Sequence, residues 1–271
     1  MTDGGPSASG YRVGSELLVR SVPGVPTVER GADLGEVILE ALKAANMPLA
    51  NHDVIVVASK VVSRAEDCFV DLGALDPGPE ALRLAAEVDK DPRLVELILR
   101  ESSAISRKVN GALIVRHRLG FVSANAGIDA SNATPSEAHE GSGPWVLTLP
   151  EDPDRSAARI RDRLSAWSDA RMAVLITDSW GRPFRRGTVG FALGVSGLPP
   201  LWDRRGARDR HGRELEATDS AIADSIAAAA DLVAGQAAES RPVTLVRGIE
   251  FSSSDEGAVA LLRDPEQDLY A

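Results

Sequence analysis

Cysteine is nearly missing from this sequence: Cys68 stands alone among 271 residues. One thiol closes no intramolecular disulfide, and the rest of the chain offers no cysteine-based zinc pattern. A catalytic thiol needs a histidine partner, so Cys68 reads as a structural or idle thiol. Net positive charge is missing too. The formal charge is −10, which argues against a general nucleic-acid binder while leaving room for a local cationic pocket. No uncharged apolar run approaches the ~20 residues of a membrane span. Ala221 to Ala238 comes nearest, and Asp224 and Asp231 interrupt it. The opening MTDGGPSASG lacks the basic-then-apolar plan of a signal peptide and has the polar, Gly/Ser-rich composition of a disordered tail. These absences point to a cytoplasmic protein. Neither G-x-G-x-x-G nor G-x-x-x-x-G-K-[ST] is present, so the two commonest nucleotide-binding motifs are excluded. The four histidines, His52, His117, His139 and His211, show no paired spacing and read as loop or surface residues.

What remains is 44% apolar and 26% charged, the balance of a globular chain. Leu17 to Val22 reads as a short strand. Leu34, Val37, Ile38, Ala41 and Leu42 fall at helical spacing behind Asp33, a candidate N-cap. Val54 to Ala58 reads as a buried strand. Two helices are expected around Asp91-Pro92, with Asp capping and Pro in the first helical position. Ala112–Val115 and Phe121–Ala124 read as a strand pair, the second continuing through Asn125–Asn132. Residues 133 to 143 read as a loop, and Asp152-Pro153 opens a helix running to about Ala170. Val174–Thr177 and Val189–Val195 read as strands and residues 202 to 215 as a charged loop. Thr218 or Asp219 is a candidate cap for an Ala-rich helix with Ile222, Ile226, Leu232 and Val233 on one side. Val243–Val246 reads as a last core strand, ended by Arg247-Gly248. The elements lack a steady βαβ rhythm, so an α+β fold with mixed sheets and packed helices is expected.

Three of the apolar runs share one habit: each passes into small and ionic residues. They are Ala58-Ser59-Lys60 with Arg64, the Asn125–Asn132 segment with Asp129, and Thr177-Asp178-Ser179. Strand ends of this kind hold ligands, because the core fixes them and solvent reaches them. Asp129 and Asp178, with the neutral oxygens of Ser179, Asn132 and Gln236, suit Mg²⁺ or Mn²⁺. Lys60, Arg64, Arg182, Arg185 and Arg186 suit phosphates and carboxylates. Cations beside metal-binding acids imply an anion between them; the plainer alternative is a surface ion-pair network. Trp180 reads as packing against its turn.

Six separated segments carry a resemblance: VIVVASKVVSRAE (54–66), ALIVRHRLGFVSANAGIDASNA (112–133), LPEDPDRSAARIR (149–161), VLITDSWGRPFRRG (174–187), DRRGARDRHGREL (203–215) and LVAGQAAES (232–240). In this order they resemble the coenzyme F420-0:L-glutamate ligase family, also called F420 gamma-glutamyl ligases. The resemblance implies GTP-dependent amide formation: a divalent metal pair, Mg²⁺ or Mn²⁺, and GTP activate the terminal carboxylate of F420-0, and an L-glutamate amine attacks. A second glutamate joins through the gamma-carboxylate. K⁺ is a further candidate ion. By position Asp129 and Asp178 match first-metal ligands, and Ser179 and Gln236 second-metal positions. Pro26, Thr27, Val28, Glu29, Ser59, Lys60, Arg64, Asn132 and the run Ala234, Gly235, Gln236, Ala237, Ala238, Glu239, Ser240, Arg241 match GTP-contacting positions. Asp129, Asp178, Arg182 and Arg185 are the candidate catalytic residues. The implied fold is an intertwined homodimer, with neither nucleic acid nor membrane as partner.

Some positions depart from the family pattern. Arg64 stands where Lys is usual, Ser179 where Thr is, Leu119 where His is common, and Ser123 where Cys is. Gln236 stands where Glu also occurs, which removes one charge from the second metal position. The expected layout is a tail over 1–12, a catalytic domain over 13–255 and an acidic tail over 256–271. A nitroreductase-like second domain is not expected, and with it absent, few glutamates would be added. The rival readings are a metal-dependent nucleotide phosphohydrolase or binding module, and a ligase of the same fold acting on another carboxylate.

Overall fold

Val54-Ile55-Val56-Val57 is apolar at every position, the pattern of a strand covered on both faces. The computed structural model, which describes residues 11–131, 133–139, 142–216, 219–264 and 266, places it at the centre of the largest sheet. In chain order the elements are β1 (Tyr11–Ser21), α1 (Leu34–Ala44), β2 (Val54–Ala58), α2 (Ser59–Ala65), β3 (Phe69–Asp71), α3 (Pro79–Val88), α4 (Pro92–Arg100), β4 (Ser102–Val109), β5 (Ala112–His117), β6 (Val122–Ala124), β7 (Trp145–Leu147), α5 (Pro153–Ser165), β8 (Ala173–Arg182), β9 (Arg185–Ser196), β10 (Leu201–Asp203), β11 (Asp219–Ala221), α6 (Ile222–Ala234) and β12 (Val243–Phe251). The fold is α+β with mixed sheets.

The main sheet runs β1-β12-β2-β8-β9. Only β2 and β8 are parallel; the other neighbours are antiparallel. Period-2 alternation splits its side chains between two cores. Ile55, Val57, Val174 and Ile176 pack with α1 and α5. Val54, Val56, Ala173 and Leu175 pack with α6. A separate core joins α3 and α4 to the β4-β5-β6 sheet through Leu84, Val95, Ile98, Leu113 and Val115.

Two glycines of β9 let the flanking helices approach. A Cβ on Gly190 would lie 2.4 Å from the Ala227 carbonyl oxygen of α6, and one on Gly194 would lie 2.4 Å from the Pro153 carbonyl oxygen of α5. Both obstacles are backbone, so neither can swing aside. Gly190→Ala is expected to cost about 1–3 kcal/mol through overpacking, read as a lower denaturation midpoint with an unchanged slope. An unshifted midpoint would show that α6 can retreat.

Several sequence expectations hold. Asp33, Asp91 and Asp152 each accept a backbone N–H at the start of a helix, from Glu36, Arg93 and Arg155. Others need correction. Asn125 to Gly127 is a 3-10 turn, not more strand, and Asn125 and Ala126 take φ of 51° and 55°. Helix α5 ends at Ser165, short of Ala170. Residues 202 to 215 are not all loop, since Trp202 and Asp203 belong to β10 and Arg208 bridges Glu214. Asp219 lies in β11 and α6 starts after Ala221 without a side-chain cap; Thr218 lies outside the described residues. Ile222 and Ile226 are buried, but Leu232 is 87% exposed. Strand β12 runs on through Arg247-Gly248 to Phe251. His117 is fully buried in β5, against the surface position expected. Order reaches past both expected tail boundaries: Tyr11 is a buried residue of β1, and Ala258 is buried in a 3-10 turn. Among the described residues no helix is long and apolar enough to cross a membrane.

Topology then positions a site. Val57 lies opposite Val243 and Ser21 opposite Thr244, while Ala58 pairs with Thr177. The chain after β1, after β2 and before β12 therefore reaches the same edge of the sheet, beside the middle of β8.

Candidate active site

Asp178 sits inside a strand, not at its end as the sequence suggested. Strand β8 continues to Arg182 and folds back as β9, with Arg182 opposite Arg185. Alternation places residues 176, 178 and 180 on one face and 177 and 179 on the other. Ile176 and Trp180 belong to the core against α1 and α5, and Asp178 stands between them. Ser59, the first residue of α2, donates to Asp178 Oδ2 at 2.9 Å, and the Ser179 N–H donates to Oδ1 at 2.6 Å. Burial raises the Asp178 carboxyl to about 6, and the Asp129 charge adds to the rise against these donors.

Asp129 is held by a two-way backbone bridge to Leu147 of β7, at 2.9 and 2.8 Å. Its Oδ2 meets Lys60 Nζ at 2.8 Å, and its Oδ1 accepts from both the N–H and the hydroxyl of Ser131 at 2.7 Å. Lys60 also donates to the Ser131 hydroxyl at 2.7 Å. Burial pushes the Asp129 carboxyl up, but Lys60 and Ser131 outweigh it and hold Asp129 below the usual carboxylate range. The two carboxylates are thus driven in opposite directions, a common mark of functional sites.

On the other face of β8 the Ser179 hydroxyl donates to Gln236 Oε1 at 2.7 Å. The Gln236 amide in turn donates to Asp231 of α6. The expected partners Ser179 and Gln236 are therefore together. Asp231 is a member that sequence reasoning took only as an interruption of an apolar helix. Ser131 was missed as well, although Asp followed two residues later by a Ser N–H donor is an Asx-turn pattern.

The remaining expected residues gather on the same edge. Arg64, 9% exposed, donates from Nε to the Val28 carbonyl at 2.7 Å and lies 3.6 Å from Glu29. This ties the loop holding Pro26, Thr27, Val28 and Glu29 to α2. The Ala58 N–H donates to Pro242 at 2.9 Å, which brings the exposed run from Gln236 to Arg241 beside Ser59. Arg241 donates to the Val233 carbonyl at 3.2 Å. Asn132 lies outside the described residues. Arg182 and Arg185 are exposed on the β8–β9 arm. Arg182 braces the turn by donating to the Arg186 carbonyl at 3.3 Å, and neither Arg182 nor Arg185 forms an ion pair with Asp129 or Asp178.

Among the described residues no three His, Cys, Asp or Glu side chains converge on one point. The donors are two carboxylates beside hydroxyl and amide oxygens. An all-oxygen set with so few carboxylates fits Mg²⁺ or Mn²⁺, which fill their shells with water and phosphate oxygens.

The sequence model of the F420-0:Gamma-glutamyl ligase family matches residues 24–248. The chain belongs to this family. It is 45% identical over 251 residues to the coenzyme F420:L-glutamate ligase of Methanothermobacter thermautotrophicus, covering 92% of this chain and 96% of the relative. It is 43% identical over 258 residues to the enzyme of that name from Methanopyrus kandleri, covering 94% and 97%. With that of Methanocaldococcus jannaschii it shares 39% over 236 residues, covering 87% and 91%.

Proposed function

We propose that this chain joins L-glutamate by an amide bond to the terminal carboxylate of F420-0, using GTP, and adds a second glutamate through the gamma-carboxylate. The observation that carries this reading is the meeting of Asp178, the Asp129–Lys60 pair and the Ser179–Gln236–Asp231 chain at one sheet edge in a member of this family.

A carboxylate is a poor electrophile, so it must first be activated. Its oxygen attacks the γ-phosphorus of GTP, the bond to GDP breaks, and an acyl phosphate results. The glutamate nitrogen then attacks the acyl carbon, phosphate leaves with the bonding pair, and the nitrogen loses a proton. Asp129 and Asp178 would hold a first Mg²⁺ or Mn²⁺, and Ser179 and Gln236 a second. Such ions supply neutralisation of charge developing on phosphoryl oxygens. Lys60 holds Asp129 ionised, ready for a cation. Arg182 and Arg185 would offset repulsion between anionic substrates. Two copies would form the working homodimer, with K⁺ as an additional ion.

A phosphate-release assay with GTP, Mn²⁺ and glutamate, with and without F420-0, tests the reaction. Release that needs both F420-0 and glutamate, with products heavier by one and two glutamates, is the expected result. Release independent of glutamate would make the chain a nucleotide phosphohydrolase. Gln236→Glu tests the second cation position. A carboxylate there would face Asp231, so the metal-free protein should melt lower while calorimetry records several-fold tighter binding of a second Mn²⁺. Unchanged affinity would remove Gln236 from the cation site.

A further inference from the structure

The groups described above leave one large cavity unused. It has a volume of about 840 Å³ and begins at Trp180, the next residue of β8 on the face of Asp178. Two residues of strand span about 7 Å, so a ligand lying in the cavity can extend one end to Asp178. Its aromatic wall is Trp180, Phe121 and Phe191. Phe121 meets Trp180 edge-on at 4.4 Å, and Phe191 lies 4.6 Å from Trp180. The indole is fixed by a 3.0 Å hydrogen bond to the Val122 carbonyl.

The charged rim is unevenly committed. Asp154 accepts from the N–H groups of Val195 and Ala258 at 2.7 and 2.8 Å, and Asp224 from that of Ala192 at 3.0 Å. These two carboxylates hold backbone, as does Asp152, which accepts the Arg155 N–H at 3.0 Å; Glu151 is the fourth acid of the lining. Arg155, in the first turn of α5, and Arg182 line the same cavity and form no ion pair among the described residues. A cation in the first helical turn opposes the helix dipole, so Arg155 gains little from its own helix. A fixed aromatic wall beside two guanidinium groups that carry no ion pair among the described residues, Arg182 being held only by the Arg186 carbonyl, suits a planar ring with an anionic side chain.

We propose that this cavity takes the acceptor of the ligation. The flat deazaflavin ring lies against Trp180, Phe121 and Phe191, its anionic side chain meets Arg155 and Arg182, and its terminal carboxylate reaches Asp178. The proposal rests on the ligase reading. It also divides the site: nucleotide-binding loops on the α2 side of Asp178, acceptor on the hairpin side.

The test is equilibrium binding of F420-0 to the full chain, without GTP or glutamate, for the parent, Arg155→Glu and Leu262→Trp. Leu262 lines the cavity beside Gly120, and no residue of the nucleotide loops is among the lining, so a larger ring there takes up cavity space. Both variants should bind F420-0 at least tenfold more weakly with GTP·Mn²⁺ affinity unchanged, and a cooperative melt should show each to be folded. Parental F420-0 affinity in both variants would overturn the assignment, as would failure of the parent to bind F420-0. A matching loss of GTP affinity would give the cavity to the nucleotide and overturn it too. Turnover by the parent is scored separately: turnover with unaffected variants sinks the cavity alone, and F420-0 binding here without turnover sinks the ligase reading alone.

Discussion

Asp178→Asn should cut turnover about 10²–10³-fold or more while raising the melting temperature of the metal-free protein. The loss follows from removing one of two carboxylates in a preorganised charged site, where a single group is worth that factor. The stability gain follows from the raised carboxyl. Burial first, then the Asp129 charge, lift Asp178 from near 4 to about 6. Between those values the folded chain binds more protons than the unfolded one, so stability falls as pH rises through the window. Above about 6 the penalty is complete. Two pKa units correspond to ~3 kcal/mol at full burial. The side chain is only half-buried, and solvent screening reduces this to about 1–2 kcal/mol. Asn carries no charge and escapes the penalty, yet its carbonyl can still accept from Ser59 or the Ser179 N–H. The variant should therefore melt a few degrees higher than the parent at pH 7.5, and the gap should narrow by pH 4.5 as Asp178 takes up its proton. Mn²⁺ should stabilise the parent and not the variant. Turnover within tenfold of the parent would remove Asp178 from the reaction.

The candidate site was more legible in the sequence than its geometry. Asp129, Asp178, Ser179, Lys60 and Gln236 could be named because acids, hydroxyls and cations following apolar runs violate what a core or a bland turn requires. What the sequence could not supply was the direction of each side chain. Thr177-Asp178-Ser179 read as the end of a strand, since polar residues usually close one. The strand instead continues into an arm paired with β9, and that continuation sends Asp178 and Ser179 to opposite faces. Asp231 hid for a related reason: an acid on an Ala-rich helix looks like a solvated face until the chain after Gly235 brings Gln236 back onto it. Strand β4 escaped notice because its residues are largely polar and exposed, so periodicity gives no apolar face to detect. The capped helices were legible because Asp33, Asp91 and Asp152 act locally, within three residues of sequence. Long-range pairing is what decided the rest.

Such pairing also sets the largest expected stability loss, at the end of the sheet opposite the site. Asp53, fully buried just before β2, receives both ends of the Arg247 fork at 2.7 Å, Nε to Oδ1 and Nη2 to Oδ2. The Ala50 N–H adds a third bond to Oδ2 at 2.7 Å, and Arg247 Nη2 reaches the Pro48 carbonyl at 3.0 Å. The pair therefore fastens β12 and β2 to the loop after α1. Arg247→Met removes the cation while keeping much of the stem's packing, and strands a carboxylate in the core with one remaining donor. Breaking such a pair costs about 3–5 kcal/mol; the surviving Ala50 bond favours the lower end. In a chain of this length that is a fall of roughly 6–12 °C. Asp53→Asn combined with Arg247→Met leaves no buried charge and should recover more than half of the loss. Since the pair lies across the sheet from Asp178, the folded fraction of Arg247→Met should turn over at the parental rate. Equal destabilisation of the single and double variants would mean that the fork acts through packing and not through charge.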